Sequence, residues 1–519
     1  MADAVATVPV DGKQVNPLRV GLQSDRITDP CSIVFFGASG DLFKRMLLPA
    51  MYALRLQGIL PSDFAIVGFS RTQYTDDEFR DYCKSQLELF APSDQKPQGP
   101  IWEDFAKRLN YLAADFNDPA YYLALKKRLE ENDEQLGTKG NRLYYLSTPP
   151  SVFTTVIDQL KTAGLDSRAD TVGWSRIVVE KPFGTDLESA RALQQTVDRV
   201  FRETEIYRID HYLGKEPVQD IMALRFANTI FEPVWNRNYV QSIQITASEQ
   251  LGVEMRGGYY DNAGALRDMI QNHVMNLLAL VAMEPPANSD ADSIRSEKFK
   301  VFSAIVPPEH DEVNAMAVRG QYGAGTIGDK SVPGYRQEPD VAPNSNTETY
   351  AALCLYVESW RWAGVPFYLR SGKRLGRKMS EIAVTFKAIP HLLYGDASDA
   401  IEPNVLVIKI QPDEGVAMRF SAKVPGPKSH IRSVFMNFNY GTGFLGVQSP
   451  PAYERLIADA MRGDQTLFTR WDAVERAWEV VSPVLDVWQN SKNFSFPNYA
   501  AGSQGPEAAN KLFGQWRSL

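Results

Sequence analysis

CSIVFFGASGDLFKRMLLPAMYALRLQG, residues 31–58, changes texture at Gly37. Before it runs a short segment that is apolar but for Ser32, as expected of a strand buried on both faces; after Gly40 the apolar residues recur at helical spacing. A glycine at a strand end and another at a helix start let backbone N–H groups approach a pyrophosphate, and the helix N-terminus adds the positive end of its dipole. Gly37, Ala38, Ser39, Gly40, Asp41 and Leu42 are therefore a candidate phosphate turn. The third small residue of the usual fingerprint would fall at Phe43, so the spacing also fits a plain strand–helix turn.

The neighbouring sequence favours the dinucleotide reading. DFAIVGFSR, RLNYLAADF, NRLYYLSTPP and SRIVVEKPFG read as further strands, separated by helical DDEFRDYCKSQLELF, SVFTTVIDQLKTAG and DLESARALQQTVDRVF. Strands alternating with helices imply a parallel sheet, so residues 31–207 are expected to form a Rossmann-like coenzyme domain. Residues 1–30 read as a polar, flexible arm. Beyond Tyr207, helices mix with alternating strands such as VQSIQITASEQ and ETYAALCLYVES. Residues 208–519 are accordingly expected to form an α+β domain on a large, mainly antiparallel sheet that binds substrate and supports oligomerisation.

The second strand ends VGFSRTQ, where a site for NAD would place an acid against the ribose hydroxyls. Here stand Ser70 and Arg71, and arginine suits a 2′-phosphate, so NADP is expected. Spacing alone leaves Arg71 free to be a solvated loop residue.

RIDHYLGKE, residues 208–216, crowds donors together. His211, Tyr212 and Lys215 could surround a phosphate, and Asp210, repelled by it, would orient an imidazole instead. A surface loop with one salt bridge fits the same spacing. The candidate imidazole is His273, on a stripe with Met269, Ile270, Leu277 and Leu280, where a core histidine is the alternative. On an α-helix Asp268 would lie about 140° away, so the two would rim one cleft without facing each other.

Composition narrows the classes. A net charge of −8 over 519 residues argues against nucleic-acid or anionic-membrane binding. The cysteines are Cys31, Cys83 and Cys354, too few and too scattered for a disulfide framework, and the five histidines show no metal-ligand spacing. No metal is expected. The best apolar run, MNLLALVAM, is short and holds Asn276, so no membrane span is expected. The start lacks a signal-peptide block, and a cytoplasmic protein is expected.

GASGDL (37–42), EKPFG (180–184), RIDHYLGKE (208–216), LRFAN (224–228), IFEPVWNR (230–237), RGGYYDNAGALRDMIQNH (256–273), GVPFYLRSGKRL (364–375) and AYERLI (452–457) together resemble the glucose-6-phosphate dehydrogenase family. The resemblance covers residues from about 31 to near 506. It implies oxidation of D-glucose 6-phosphate to 6-phospho-D-glucono-1,5-lactone with hydride transfer to NADP, the first step of the oxidative pentose phosphate pathway. It implies that His273 is the general base and that Asp210 pairs with it. It makes His211, Tyr212 and Lys215 the binders of the substrate phosphate, and places Lys181 between sugar and cofactor, followed by a cis Pro182. Glu249, Asp268, Lys373, Lys378 and Gln411 would contact the sugar, and Tyr145 the cofactor. A homodimer or homotetramer joined through the large sheet is also implied.

Two features depart from the family pattern. Phe43 replaces a small residue, so helix packing at the turn is expected to differ. Arg370, Lys409 and Arg419 stand at positions of a second, structural NADP found in some members, but Met379, Ala383 and Gln504 replace its other basic residues, so no second NADP is expected. The competing readings are a non-catalytic NADPH-binding sensor, which would lack one of Asp210, His273 or Lys215, and a dehydrogenase of another hexose phosphate.

Overall fold

The computed structural model describes residues 27–166, 173–390, 401–427, 430–443, 449–491, 495–514 and 516–517. Most of the expected N-terminal arm, residues 1–26, lies outside them. Six strands, β1 (Cys31–Phe36), β2 (Phe64–Ser70), β3 (Leu109–Ala113), β4 (Arg142–Leu146), β5 (Ser175–Val179) and β6 (Ile206–Arg208), form one sheet. Every pairing in it is parallel, in the order β3-β2-β1-β4-β5-β6. This is the doubly wound arrangement, and its order reverses between β1 and β4, where a crevice opens at the carboxyl ends of the strands.

The apolar runs that suggested these strands are buried throughout: β1, β2 and β4 have no exposed residue. Flanking helices begin where side chains satisfy their free N–H groups. Thr75 caps the helix Asp76–Phe90 with a capping box to Glu78, and Asp186 caps Leu187–Asp198.

The second sheet has eight strands. These are β7 (Val240–Ser248), β8 (Ala317–Gly320), β12 (Tyr350–Tyr356), β13 (Pro366–Gly372), β14 (Met379–Phe386), β15 (Val405–Gln411), β16 (Gly415–Lys423) and β17 (Ile431–Asn439). The short strands β9 (Tyr322–Gly323), β10 (Gly325–Ile327), β11 (Lys330–Val332) and β18 (Tyr499–Ala500) make two small sheets beside it. The order of the large sheet is β17-β16-β15-β14-β7-β13-β12-β8, antiparallel except between β7 and β13. Arg370 on β13 is buried, bonded to Thr246 Oγ1 at 3.0 Å and to the carbonyl of Arg517 at 2.6 Å. The Trp516 ring lies 4.6 Å from its guanidinium.

Among the described residues, two helical segments are π rather than α. Phe43–Leu47 opens the first helix, and Leu266–Val274 carries the histidine singled out above. Among the described residues no helix is long and apolar enough to cross a membrane.

Candidate active site

The strand β6 ends at Arg208, and the chain immediately presents Asp210 to the crevice side. Asp210 Oδ1 lies 2.5 Å from His273 Nδ1 and accepts the Tyr212 N–H at 2.9 Å. Both side chains of the pair are almost wholly buried. Burial alone would push Asp210 up, but the imidazole beside it and the hydrogen bonds it accepts hold it well below the usual carboxylate range. Burial lowers His273, and Asp210 only partly offsets that, so the ring is neutral near pH 7.

The expected α-helical geometry around His273 is corrected here. In a π-helix hydrogen bonds run from i to i+5, so residues five apart share a face. Asp268 and His273 both lie in the π segment, and both reach Lys181. Lys181 Nζ sits 2.8 Å from His273 Nε2, 3.1 Å from Asp268 Oδ1 and 2.7 Å from the Asp268 carbonyl. Burial would raise Asp268, but Lys181 and Lys373 hold its carboxyl far below the usual range. Lys181 lies two residues beyond the end of β5 and is joined to Pro182 by a cis bond.

Register brings four more of the expected residues together. Ser248 pairs with Gly372 and with Met379, and Ser380 with Gln411, so Glu249, Lys373, Lys378 and Gln411 lie at one end of the large sheet. Glu249 and Lys373 form an ion pair. Lys215 Nζ donates to Gln411 Oε1 at 2.8 Å and lies 3.8 Å over the Tyr212 ring. Tyr212 Oη and Ser380 Oγ are 3.2 Å apart, and Gln411 Nε2 donates to the same Ser380 hydroxyl at 3.0 Å. The His211 and Tyr212 rings each lie 4.6 Å from that of His273. Burial lowers Lys215 to about 8, with Asp210 opposing and the exposed Lys378 assisting. His211 is lowered well below its ordinary value by burial and by His273 and Lys181.

The glycine turn has the form a dinucleotide needs. Gly37 has φ +93°, and a Cβ there would meet the Ser147 carbonyl oxygen at 2.7 Å. The Gly40 N–H closes the turn onto the Gly37 carbonyl at 2.8 Å. Beside it Ser39 Oγ lies 2.7 Å from Ser70 Oγ, and Thr72 Oγ1 donates to Ser39 at 2.9 Å. Arg71 is exposed on the same rim, and Asp41 is paired with Lys44 and Arg45. Phe43 begins the π turn Phe43–Leu47. The ring is buried 5.2 Å from Phe35 and 6.1 Å from Phe79, and Gly68 is crowded by that Phe79 ring.

Tyr145 points elsewhere than at the glycine turn: its ring is buried and its hydroxyl donates to Glu180 Oε1 at 2.6 Å. A cavity of about 360 Å³, lined by Ser151, Lys181, Thr185, Tyr259, Arg267 and Asp268 among others, lies beside Lys181 and Asp268.

Sequence reasoning missed several neighbours. Glu180 stood in the quoted EKPFG motif; burial raises it to about 7 despite its bonds to Tyr145 and Tyr453. Thr72 and Ser380 carry no signal beyond being small and polar. Asn276 was read only as an interruption of an apolar run, yet it donates to Asp210 Oδ2 at 2.9 Å.

A doubly wound sheet with a glycine turn, facing a buried acid–imidazole pair, defines a dinucleotide-dependent oxidoreductase that moves a proton and a hydride. Comparison with known proteins narrows this. The model for "Glucose-6-phosphate dehydrogenase, NAD binding domain" matches residues 34–220, and that for its C-terminal domain matches residues 222–517. A glucose-6-phosphate 1-dehydrogenase of Chlamydia pneumoniae is 46% identical over 508 residues, spanning 96% of this chain and 98% of the relative. The corresponding enzyme of Bacillus subtilis is 44% identical over 480 residues, 92% of this chain and 96% of its own. A solved structure of a glucose-6-phosphate dehydrogenase in complex with its substrate glucose-6-phosphate superposes with a TM-score of 0.85 at 34% identity, covering 96% of this chain and all of the other. The chain belongs to the glucose-6-phosphate dehydrogenase family, and its coenzyme is a nicotinamide dinucleotide.

Proposed function

We propose that the protein oxidises D-glucose 6-phosphate at C1 to 6-phospho-D-glucono-1,5-lactone, with NADP as hydride acceptor. The observation that carries this reading is the geometry of His273: Nδ1 on Asp210 at 2.5 Å, Nε2 turned toward Lys181 at the mouth of the crevice. Asp210 fixes the tautomer, leaving Nε2 as the base. His273 takes the C1 hydroxyl proton, and Asp210 stabilises the imidazolium that forms. Lys181 steadies the negative charge developing on that oxygen. Losing the O–H bond pushes electron density onto C1, from which the hydride departs as the C1–O double bond forms. NADP, when bound, supplies the acceptor; no covalent intermediate is required.

In the same reading His211, Tyr212 and Lys215 hold the phosphate, and Glu249, Asp268, Lys373, Lys378 and Gln411 hold the sugar hydroxyls. Residues 37–42 and Lys181 hold the cofactor, Tyr145 supports that site through Glu180, and Arg71 meets the 2′-phosphate with the hydroxyls of Ser39, Ser70 and Thr72 around it. The Gly37 close approach supports the fit, since a side chain there would fill the turn. The chain divides functionally near Tyr207, with coenzyme binding before it and substrate binding and association after.

Association as a homodimer or homotetramer belongs to the proposal: Phe435, Met436 and Phe438 on β17 are exposed on the large sheet and call for a cover. A cytoplasmic setting is supported by three buried free thiols. The test is steady-state NADPH formation with glucose 6-phosphate, other hexose phosphates and free glucose, and with NADP against NAD. No turnover of glucose 6-phosphate, or faster turnover of another hexose phosphate, would overturn the reading.

A further inference from the structure

Beside Asp210 the chain encloses a small cavity of about 40 Å³, bordered by Arg208, Gln271, Asn276, Phe302 and Thr469. Asn276 sits on the helix Met275–Ala282, three residues after His273, and is 3% exposed. Its amide nitrogen lies 2.9 Å from Asp210 Oδ2, 3.2 Å from the Asn272 carbonyl and 3.4 Å from Thr469 Oγ1. An NH₂ group is what this ring of oxygens requires. The two carboxylate oxygens of Asp210 are thus divided. Oδ1 serves His273 and the Tyr212 N–H, and Oδ2 is held by Asn276. Asn276 Oδ1 is buried and has no hydrogen-bond partner among the described residues, so the amide acts here through its nitrogen.

We propose that Asn276 is a positioning residue for the proton transfer. It clamps Asp210 Oδ2 so that Oδ1 stays on His273 Nδ1. The inference rests on His273 being the base. Without the clamp the carboxylate turns about its Cβ–Cγ bond. It also carries more charge toward the imidazole, making His273 easier to protonate.

The charged and titratable groups facing the pair are Lys181 and Asp268 from the cleft, and His211 and Tyr212 beside the ring. Lys298, Lys215 and Tyr453 also act on it, and Arg208 lines the cavity beside Asp210. The variants below leave all of them in place.

Asn276→Leu keeps the number of side-chain heavy atoms and removes the donor. We expect kcat to fall about tenfold, the loss of one hydrogen bond to a charged group, with KM for glucose 6-phosphate little changed. The acid limb of the kcat/KM profile should move to higher pH. Asn276→Gln keeps the amide, and the cavity takes its extra methylene, so it should recover most of the loss. By NMR, the hydrogen-bonded His273 Nδ1–H resonance should shift in the Leu variant and not in the Gln variant. Parental kcat and acid limb in Asn276→Leu, or equal losses in both variants, would overturn the clamp. If the parent enzyme does not oxidise glucose 6-phosphate, the reaction reading fails instead, and the His273 resonance still decides the clamp.

Discussion

The two halves of the crevice are built on opposite principles. The coenzyme half is backbone and small hydroxyls: a glycine turn, Ser39, Ser70 and Thr72, with Arg71 exposed at the rim. The substrate half is a network of buried charge, in which Asp210, His273 and Asp268 are each less than a tenth exposed and Lys181 ties two of them together. Buried charges are costly to expose and costly to leave unpaired. The substrate half is therefore pre-assembled, and each of its members should matter to chemistry. The coenzyme half is open, and single side chains there should matter to affinity and choice.

The largest test of that contrast is His273→Asn. Removing a general base costs roughly 10²–10⁴ in rate, so kcat should fall on that scale with glucose 6-phosphate affinity nearly kept; unchanged kcat would break the contrast at its centre. Next comes Lys215→Ala. Losing a charge-assisted contact worth about 1.5–3 kcal/mol should raise KM for glucose 6-phosphate about ten- to hundredfold and leave free glucose untouched. Equal losses with both sugars would show that the lysine does not read the phosphate.

On the open half, Arg71→Ala should weaken NADP about tenfold, as expected for one exposed contact to a phosphate, and NAD much less. Parallel weakening of both would move the 2′-phosphate elsewhere.

The smallest effect concerns pH. Burial lowers both His211 and His273 from 6.5, so below that pH the unfolded chain binds protons that the folded chain does not. The stability is present above pH 6.5 and drains as the pH falls toward the lowered values, by about 1.4 kcal/mol per histidine per pH unit at most. Melting curves should show the decline, and His273→Asn should shallow it. In the other direction, KM for glucose 6-phosphate should rise above about pH 8, where Lys215 gives up its proton.

Much of this was legible in the sequence, unevenly. The parallel sheet announced itself because strands buried on both faces are mostly apolar, and β1 and β2 are apart from Ser32, Gly68 and Ser70. RIDHYLGKE stood out because so many donors in one stretch have few structural uses. What pattern reading could not supply was the angle between Asp268 and His273, because it assumed an α-helical step where the chain takes a π-helical one. It could not see Asn276 as a partner of Asp210, since an amide in an apolar run carries no mark of what it touches. Nor could it join Gln411 to Lys215, a contact across 196 residues set by strand register.

The π segment Leu266–Val274 has a consequence for length rather than for chemistry. A π turn is what a helix becomes when it must store a surplus residue. Excising one position between Asp268 and His273 would let the segment relax to an ordinary helix. Residues four apart share a face of an α-helix, so Asp268 and His273 would still look to the same side, with one residue fewer between them. At this place the protein should tolerate the loss of a single codon better than it would inside an ordinary helix.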